Sequence, residues 1–161
     1  MKRLFLLCLC CFLLTACSRI PSPQSQVPSA TATEVPTEAA GQSFLVYRGD
    51  DNAEFFLSEE VFVTEINEVV VMDQLIAAGI LSEDTAVISI CLEGTELTID
   101  FNQAFADRVC SMGTSGERII VGSTVNTFLS AYGASSVRFT VNGEILESGH
   151  VIYDFPLEFV Q

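Results

Sequence analysis

The alternation of apolar and polar positions is sharpest in the middle of the chain, where Ala86 to Leu92 and Glu96 to Phe101 flank Gly94-Thr95. With that pair as a two-residue turn, Leu92 faces Leu97, Ile90 faces Ile99 and Ile88 faces Phe101, so six apolar side chains fall on one side of a hairpin. The other side carries Ser89, Cys91, Glu96, Thr98 and Asp100 and is wet. A second hairpin is signalled by Val137, Phe139 and Val141 alternating into Asn142-Gly143, the dipeptide best suited to a two-residue turn. Upstream, Ser43 to Arg48 and Phe55 to Thr64 surround Gly49-Asp50-Asp51-Asn52 and read as strand, turn and further extended chain.

Helical spacing fills the gaps between the strands. Val69 to Ala78, closed by Gly79, places Met72, Leu75 and Ile76 on one side. Asn102 is suited to cap a short helix that ends near Met112-Gly113, with Phe105 and Val109 one turn apart. Thr114-Ser115-Gly116-Glu117 has capping-box spacing, and Val121, Val125, Phe128, Leu129 and Tyr132 then recur at helical intervals before Gly133. Strand, helix, hairpin, helices, hairpin predicts an α+β fold: a small mixed or antiparallel sheet with helices packed on one face.

The first residues follow a different grammar. Lys2 and Arg3 precede an apolar run from Leu4 to Leu14, followed by Thr15, Ala16 and Cys17. The run is 11 residues, well short of the ~20 needed to cross a bilayer, so residues 1–16 read as a signal peptide. Leu14-Thr15-Ala16-Cys17 resembles the lipobox of bacterial lipoproteins, which implies cleavage before Cys17 and diacylation of its thiol. Two acyl chains give stable anchoring where one gives only marginal binding. Residues 17–42 follow as a lipidated cysteine and a linker; positions 18–42 hold 18 Pro, Ser, Thr, Ala or Gln among 25, too little apolar surface to fold. One domain, residues 43–161, remains.

Charge narrows the function. The chain carries 21 Asp and Glu against 7 Lys and Arg, a net −14, and loss of residues 1–16 would make it −16. Such a surface repels phosphate backbones, so no nucleic-acid partner is expected. His150 is the single histidine and Lys2 the single lysine, which removes sites built on several imidazoles and, after processing, lysine chemistry.

Catalytic and metal constellations fail on spacing. Glu96 and Asp100 lie about 13 Å apart along a strand, beyond the ~5 to 9.5 Å of glycosidase pairs. Ser148, His150 and Asp154 supply triad residue types, but no nucleophile elbow accompanies them. Asp50, Asp51, Asn52 and Glu54 lack the glycine and terminal glutamate of a calcium loop and read as a turn. Cys91 and Cys110 are expected to stay unbonded, because Cys91 faces away from the side that the next helix should cover. No catalytic residue, cofactor or metal is expected.

An ordered series in Asp73 to Phe159 resembles the GerMN domain, named for a protein of spore germination and sporulation and found in many Gram-positive surface lipoproteins. It comprises Leu75-Ile76 before a glycine, the hairpin ending Thr98-Ile99-Asp100-Phe101, Val125-Asn126-Thr127-Phe128 in a helix, Val137 to Gly143, Gly149-His150, and Pro156-Leu157. The resemblance implies a small domain similar to ring-building motifs of secretion-type assemblies, acting by adhesion or scaffolding without catalysis. The expected protein is a lipoprotein anchored through Cys17 on the outer face of the cell membrane. Its domain would be a binding or assembly module for an envelope-protein or cell-wall partner, in sporulation, germination or vegetative growth. The alternative is a solute-capturing or weakly hydrolytic envelope protein. Asn126 and Asp100 are read as, respectively, a polar position on the longer helix and a carboxylate near a helix start, rather than as partner contacts.

Overall fold

The computed structural model describes residues 41–161. The signal peptide at 1–16, the lipidation site Cys17 and nearly all of the 17–42 linker lie outside the described residues. The described chain runs β1 (Gln42–Gly49), β2 (Phe56–Val63), α1 (Glu68–Ala77), β3 (Val87–Glu93), β4 (Glu96–Phe101), α2 (Gln103–Cys110), α3 (Thr114–Tyr132), β5 (Ser136–Val141) and β6 (Glu144–Ile145). It is an α+β fold with two sheets. One is the antiparallel β1–β2 hairpin; the other is mixed, in the order β3-β4-β5-β6, with β4 and β5 parallel and joined by the α2–α3 crossover.

The core lies between the mixed sheet and the helices. Leu97, Ile99 and Phe101 from β4 and Val137, Phe139 and Val141 from β5 are buried. Phe101 stacks on Phe105 of α2 at 4.2 Å and meets Phe128 and Phe139 edge-on at 6.3 and 5.4 Å. Fully burying one such ring is worth about 2 to 3 kcal/mol, so this cluster fixes where α2 and α3 sit on the sheet. Asn142 and Gly143 take φ of 52° and 81°, as a tight turn of this hand requires.

Three local expectations change. Leu92 and Ile90 do face Leu97 and Ile99, but a bulge at Ile88 leaves Val87 opposite Phe101. An extra residue in one strand displaces its own side chain from the ladder, and Ile88 is 55 % exposed. Thr114 does not cap α3; Gly113 occupies the cap position and Glu117 turns inward. Asn102 does precede α2, yet its side chain accepts from Ala86 N at 3.1 Å and donates to Asp84 O at 2.7 Å, tying the approach to β3 rather than the helix end.

The longest helix has neighbours on every side. α3 packs against β1, β5, α1 and α2, and it is buried almost without interruption from Glu117 to Leu129. The β1–β2 hairpin thus lies against a helix that the mixed sheet already covers on another side.

Candidate functional site

Four polar arrangements concentrate the chemistry of this fold. The first lies at the start of α3. Glu117, 3 % exposed, accepts through one oxygen, Oε1, from Ser148 Oγ at 2.5 Å and from Tyr153 OH at 2.7 Å. Its place near the helix N-terminus suits a carboxylate, because the dipole there is positive. Ser148 Oγ in turn accepts from the backbone N–H of His150 and Val151, at 3.1 and 2.9 Å. The carboxylate therefore gathers the 148–153 segment onto α3.

The triad residue types do not form a triad. The Ser148 proton points to Glu117 and its lone pairs are taken by amides; His150 reaches the hydroxyl only through its backbone, and Asp154 engages Arg138 only through its carbonyl, at 3.0 Å. A hydroxyl with its proton and lone pairs so committed is a fastening, not a nucleophile.

The second arrangement is a belt of short polar side chains around the middle of α3. Asn126, 1 % exposed, accepts from Val160 N and donates to Val160 O, both at 2.8 Å, so its amide fastens the C-terminal segment as a neighbouring strand would. Thr127 Oγ1 accepts from Tyr47 N and Ser130 Oγ from Leu45 N, each at 2.9 Å. Those N–H groups belong to the β1 edge turned away from β2, which no further strand covers; the helix hydroxyls satisfy it instead. Ser123 Oγ is the buried side-chain oxygen without a partner among the described residues. Asn126 is thus a polar position on the longer helix, as its sequence context indicates, and it lies in the interior.

The wet face of the mixed sheet holds the third. Asp100 Oδ1 accepts from Thr140 Oγ1 at 2.7 Å and from Gly143 N at 2.8 Å, joining β4 to the β5–β6 turn, so its partners are strand and turn groups rather than a helix start. Arg138 pairs with Glu96 at 3.5 Å across the same face, with both side chains half-buried.

The fourth is the disposition of the cations. Each arginine among the described residues donates to a main-chain carbonyl: Arg48 to Gly49, Arg108 to Gly79 and Ile80, Arg118 to Glu54 and Gln161, and Arg138 to Asp154. Arg118 also lies 4.8 Å over the Phe56 ring. The positive charge is spent on holding turns and chain ends, and the acidic groups dominate what faces outward.

The other candidates resolve as structure. Asp50 Oδ1 accepts from the amides of Glu54 and Phe55, which hold its carboxyl below the usual carboxylate range and close the β1–β2 turn. Among the described residues no group of three His, Cys, Asp or Glu could hold a metal. Cys91 and Cys110 are free and exposed. The cavities are open and shallow, and one of about 420 Å³ lies between Tyr47, Phe55, Phe56, Phe159 and the committed Arg118.

The Glu117 cluster carries a pH prediction. Burial, then the hydrogen bond and the charge of Glu117, and then Cys110 push the Tyr153 phenol well above its usual value near 10. A group whose pKa is higher in the folded state contributes stability that is complete below the unfolded value and lost as pH rises through the folded one. Unfolding free energy should therefore decline from about pH 10 upward. Tyr153→Phe should flatten that decline, as chemical denaturation at stepped alkaline pH will show; an unchanged slope would refute the coupling.

A family model described as sporulation and spore germination, Germane, matches residues 44–147. Among solved structures, the fold is similar to the tandem GerMN domains of the sporulation protein GerM from Bacillus subtilis, with a TM-score of 0.56 and 17 % identity over 81 % of this chain. This chain spans half the length of that tandem protein. The first GerMN domain of the same protein aligns with a TM-score of 0.49 and 15 % identity, over 73 % of this chain and 96 % of that one. No curated protein matches the sequence.

Proposed function

The chain belongs to the Germane family, and we propose that its folded part is a non-catalytic binding or assembly module held at the outer face of the cell membrane by a lipid on Cys17. One observation carries the non-catalytic half of this reading. The buried Glu117 and Asn126, the polar side chains best placed for chemistry, are both committed to fastening the domain's own chain. Glu117 Oε1 is taken up by the Ser148 and Tyr153 hydroxyls, and both ends of the Asn126 amide are taken up by the Val160 backbone. The family's description names sporulation and spore germination and no reaction, which fits a structural part in one of those processes.

The anchoring half rests on Leu14-Thr15-Ala16-Cys17 and the short apolar run before it. Among the described residues no helix is long and apolar enough to cross a membrane. The partner is expected to be an envelope protein or cell-wall component. A nucleic acid suits it poorly, because the chain is acidic and its described arginines are engaged internally.

Cys17→Ala should leave the protein unprocessed or release it from membranes. Intact-mass measurement of the membrane-extracted form decides the point: retained residues 1–16, or no diacylglycerol on Cys17, would remove the anchor from this proposal.

A further inference from the structure

A cleft of about 400 Å³ opens between one face of the β1–β2 hairpin and α1, within the size range of small-ligand sites. The register sets Val46 directly opposite Glu59, with Arg48 two residues further along β1 and Val61 two residues further along β2. Alternation therefore puts all four side chains on that one face. α1 supplies the other wall through Gln74, Ala77 and Ala78. Val46 is buried and Val61 half-buried, which makes the floor apolar, and the short side chains of Ala77 and Ala78 do not fill the space.

Three polar side chains line this cleft without being used by the fold. Arg48 makes a single hydrogen bond, to the carbonyl of the adjacent Gly49 at 3.5 Å, longer than an ordinary one. Every other described arginine makes at least two. Arg48 and Glu59 share a face, yet the one ion pair among the described residues is Arg138 with Glu96. Of Gln74 only the backbone carbonyl is engaged, by Ala78 N at 2.9 Å.

The geometry points to this cleft as a binding site for a small zwitterion, an amino acid or a short peptide with free ends. Arg48 receives the carboxylate, Glu59 the ammonium group, and Val46 and Val61 the aliphatic part. This goes beyond the module reading, since it gives the domain a dissolved ligand in addition to any envelope partner.

Charge selects the class of ligand. Diagonal neighbours across an antiparallel pair lie about 7 to 8 Å apart, so a molecule with both charges a few bonds apart can bridge Arg48 and Glu59 with a charge-assisted hydrogen bond at each end. A simple anion would approach Arg48 against the field of a chain of net −14 and come to rest beside the Glu59 carboxylate. A simple cation would find carboxylates over the whole surface and gain nothing from a cleft that holds a guanidinium. A molecule of zero net charge meets neither obstacle and uses both groups. Gln74, which can donate and accept, is left for a third polar group such as a peptide carbonyl. Arg48 and Glu59 are exposed and the cleft is open, so binding is weak, with a Kd of about 0.1 to 1 mM.

Titration of the isotope-labelled full chain in mild detergent with leucine should shift the amide resonances of Val46, Glu59, Val61 and Ala77 and saturate in that range. Isoamylamine and isocaproate, which are leucine without its carboxylate and without its ammonium group, should each bind at least roughly tenfold more weakly. Alanyl-leucine separates the two sources of the ligand: tighter binding than leucine assigns the cleft to peptide ends, weaker binding to free amino acids. Arg48→Gln and Glu59→Gln should each weaken leucine binding by about tenfold. Glu60→Gln makes the same charge change on the opposite face of β2 and should leave binding unchanged. All three positions are exposed, so circular dichroism should report an intact fold for each variant.

An absence of shifts at these amides up to about 20 mM leucine would overturn the proposal. So would isosteres that bind as tightly as leucine, which would make the cleft merely apolar, or a loss with Glu60→Gln equal to that with Glu59→Gln, which would make the effect one of overall charge. None of these results bears on lipidation of Cys17 or on the absence of catalysis, so failure here is separable from failure of the module reading.

Discussion

Replacing Glu117 by alanine should destabilise the domain by about 2 to 4 kcal/mol, because the buried Tyr153 hydroxyl and the half-buried Ser148 hydroxyl lose their acceptor and a cavity opens at the start of α3. Ser148 Oγ and Tyr153 OH both donate to Oε1, at 2.5 and 2.7 Å. An orphaned hydroxyl in such a place costs about 1 to 3 kcal/mol, against the roughly 1 kcal/mol that an ordinary hydrogen bond contributes. Glu117→Gln is the informative contrast. Its amide oxygen has two lone pairs and can still receive both hydroxyls, so only the charge-assisted part of the bonding and the favourable helix-terminus charge are lost, about 1 to 2 kcal/mol. Urea denaturation of the two variants beside the parent measures the difference. If alanine costs no more than glutamine, the carboxyl group does not fasten the 148–153 segment and its role has been misread. A double-mutant cycle with Tyr153→Phe then isolates the contact itself, and a coupling above about 0.5 kcal/mol is expected for groups that touch.

That cluster also shows where sequence and structure part company. The strands and helices were legible because each has its own period: β4 and β5 alternate strictly, and Val137, Phe139 and Val141 are buried just as that alternation requires. The Asn142-Gly143 turn is a local rule and held. The Ile88 bulge was not legible, since period-two arithmetic assumes that no residue is inserted, and nothing in Val87-Ile88-Ser89 marks the insertion. Glu117 was misassigned because Ser or Thr three residues before a glutamate satisfies a capping pattern whether or not the carboxyl faces outward. Its partners Ser148 and Tyr153 lie more than thirty residues away, 31 and 36 in sequence, and no local pattern encodes them.

The burial of α3 did have a signal. From Ile119 to Tyr132 there is no charged residue in fourteen positions, and a helix without a charged face has no face for water. An apolar stripe at Val121, Val125 and Phe128 accounts for one side only. The small polar residues between them indicate that something polar, the backbone of another segment, lies against the others. Function was less legible than fold for the same reason: these interior polar groups serve the chain itself, and a sequence does not distinguish a hydroxyl that fastens a strand from one that meets a ligand.

Thr127→Val combined with Ser130→Ala should cost about 2 to 5 kcal/mol, although neither change alters the apolar core. Tyr47 N and Leu45 N each reach a helix hydroxyl at 2.9 Å, on the β1 edge that β2 does not pair. Valine nearly matches threonine in shape, so the loss at position 127 reports the missing acceptor and not a hole. With both acceptors gone, two N–H groups lie against the apolar surface of α3 and can recover hydration only if the β1–β2 hairpin lifts from the helix. Opening of that kind is local, and it has a signature: the amides of Leu45 and Tyr47 should exchange with solvent far faster while those of β4 and β5 stay protected. Ser123→Ala supplies the control, because its hydroxyl is buried on the same helix without a partner, and removing an unsatisfied group should be neutral or stabilising. If the Ser123 change costs as much as the Thr127 change, the energy lies in helix packing in general. If instead only the belt variants loosen β1, the hydroxyls of α3 act as the missing strand of the small sheet, and they explain why a buried helix in an acidic domain is built from serine and threonine.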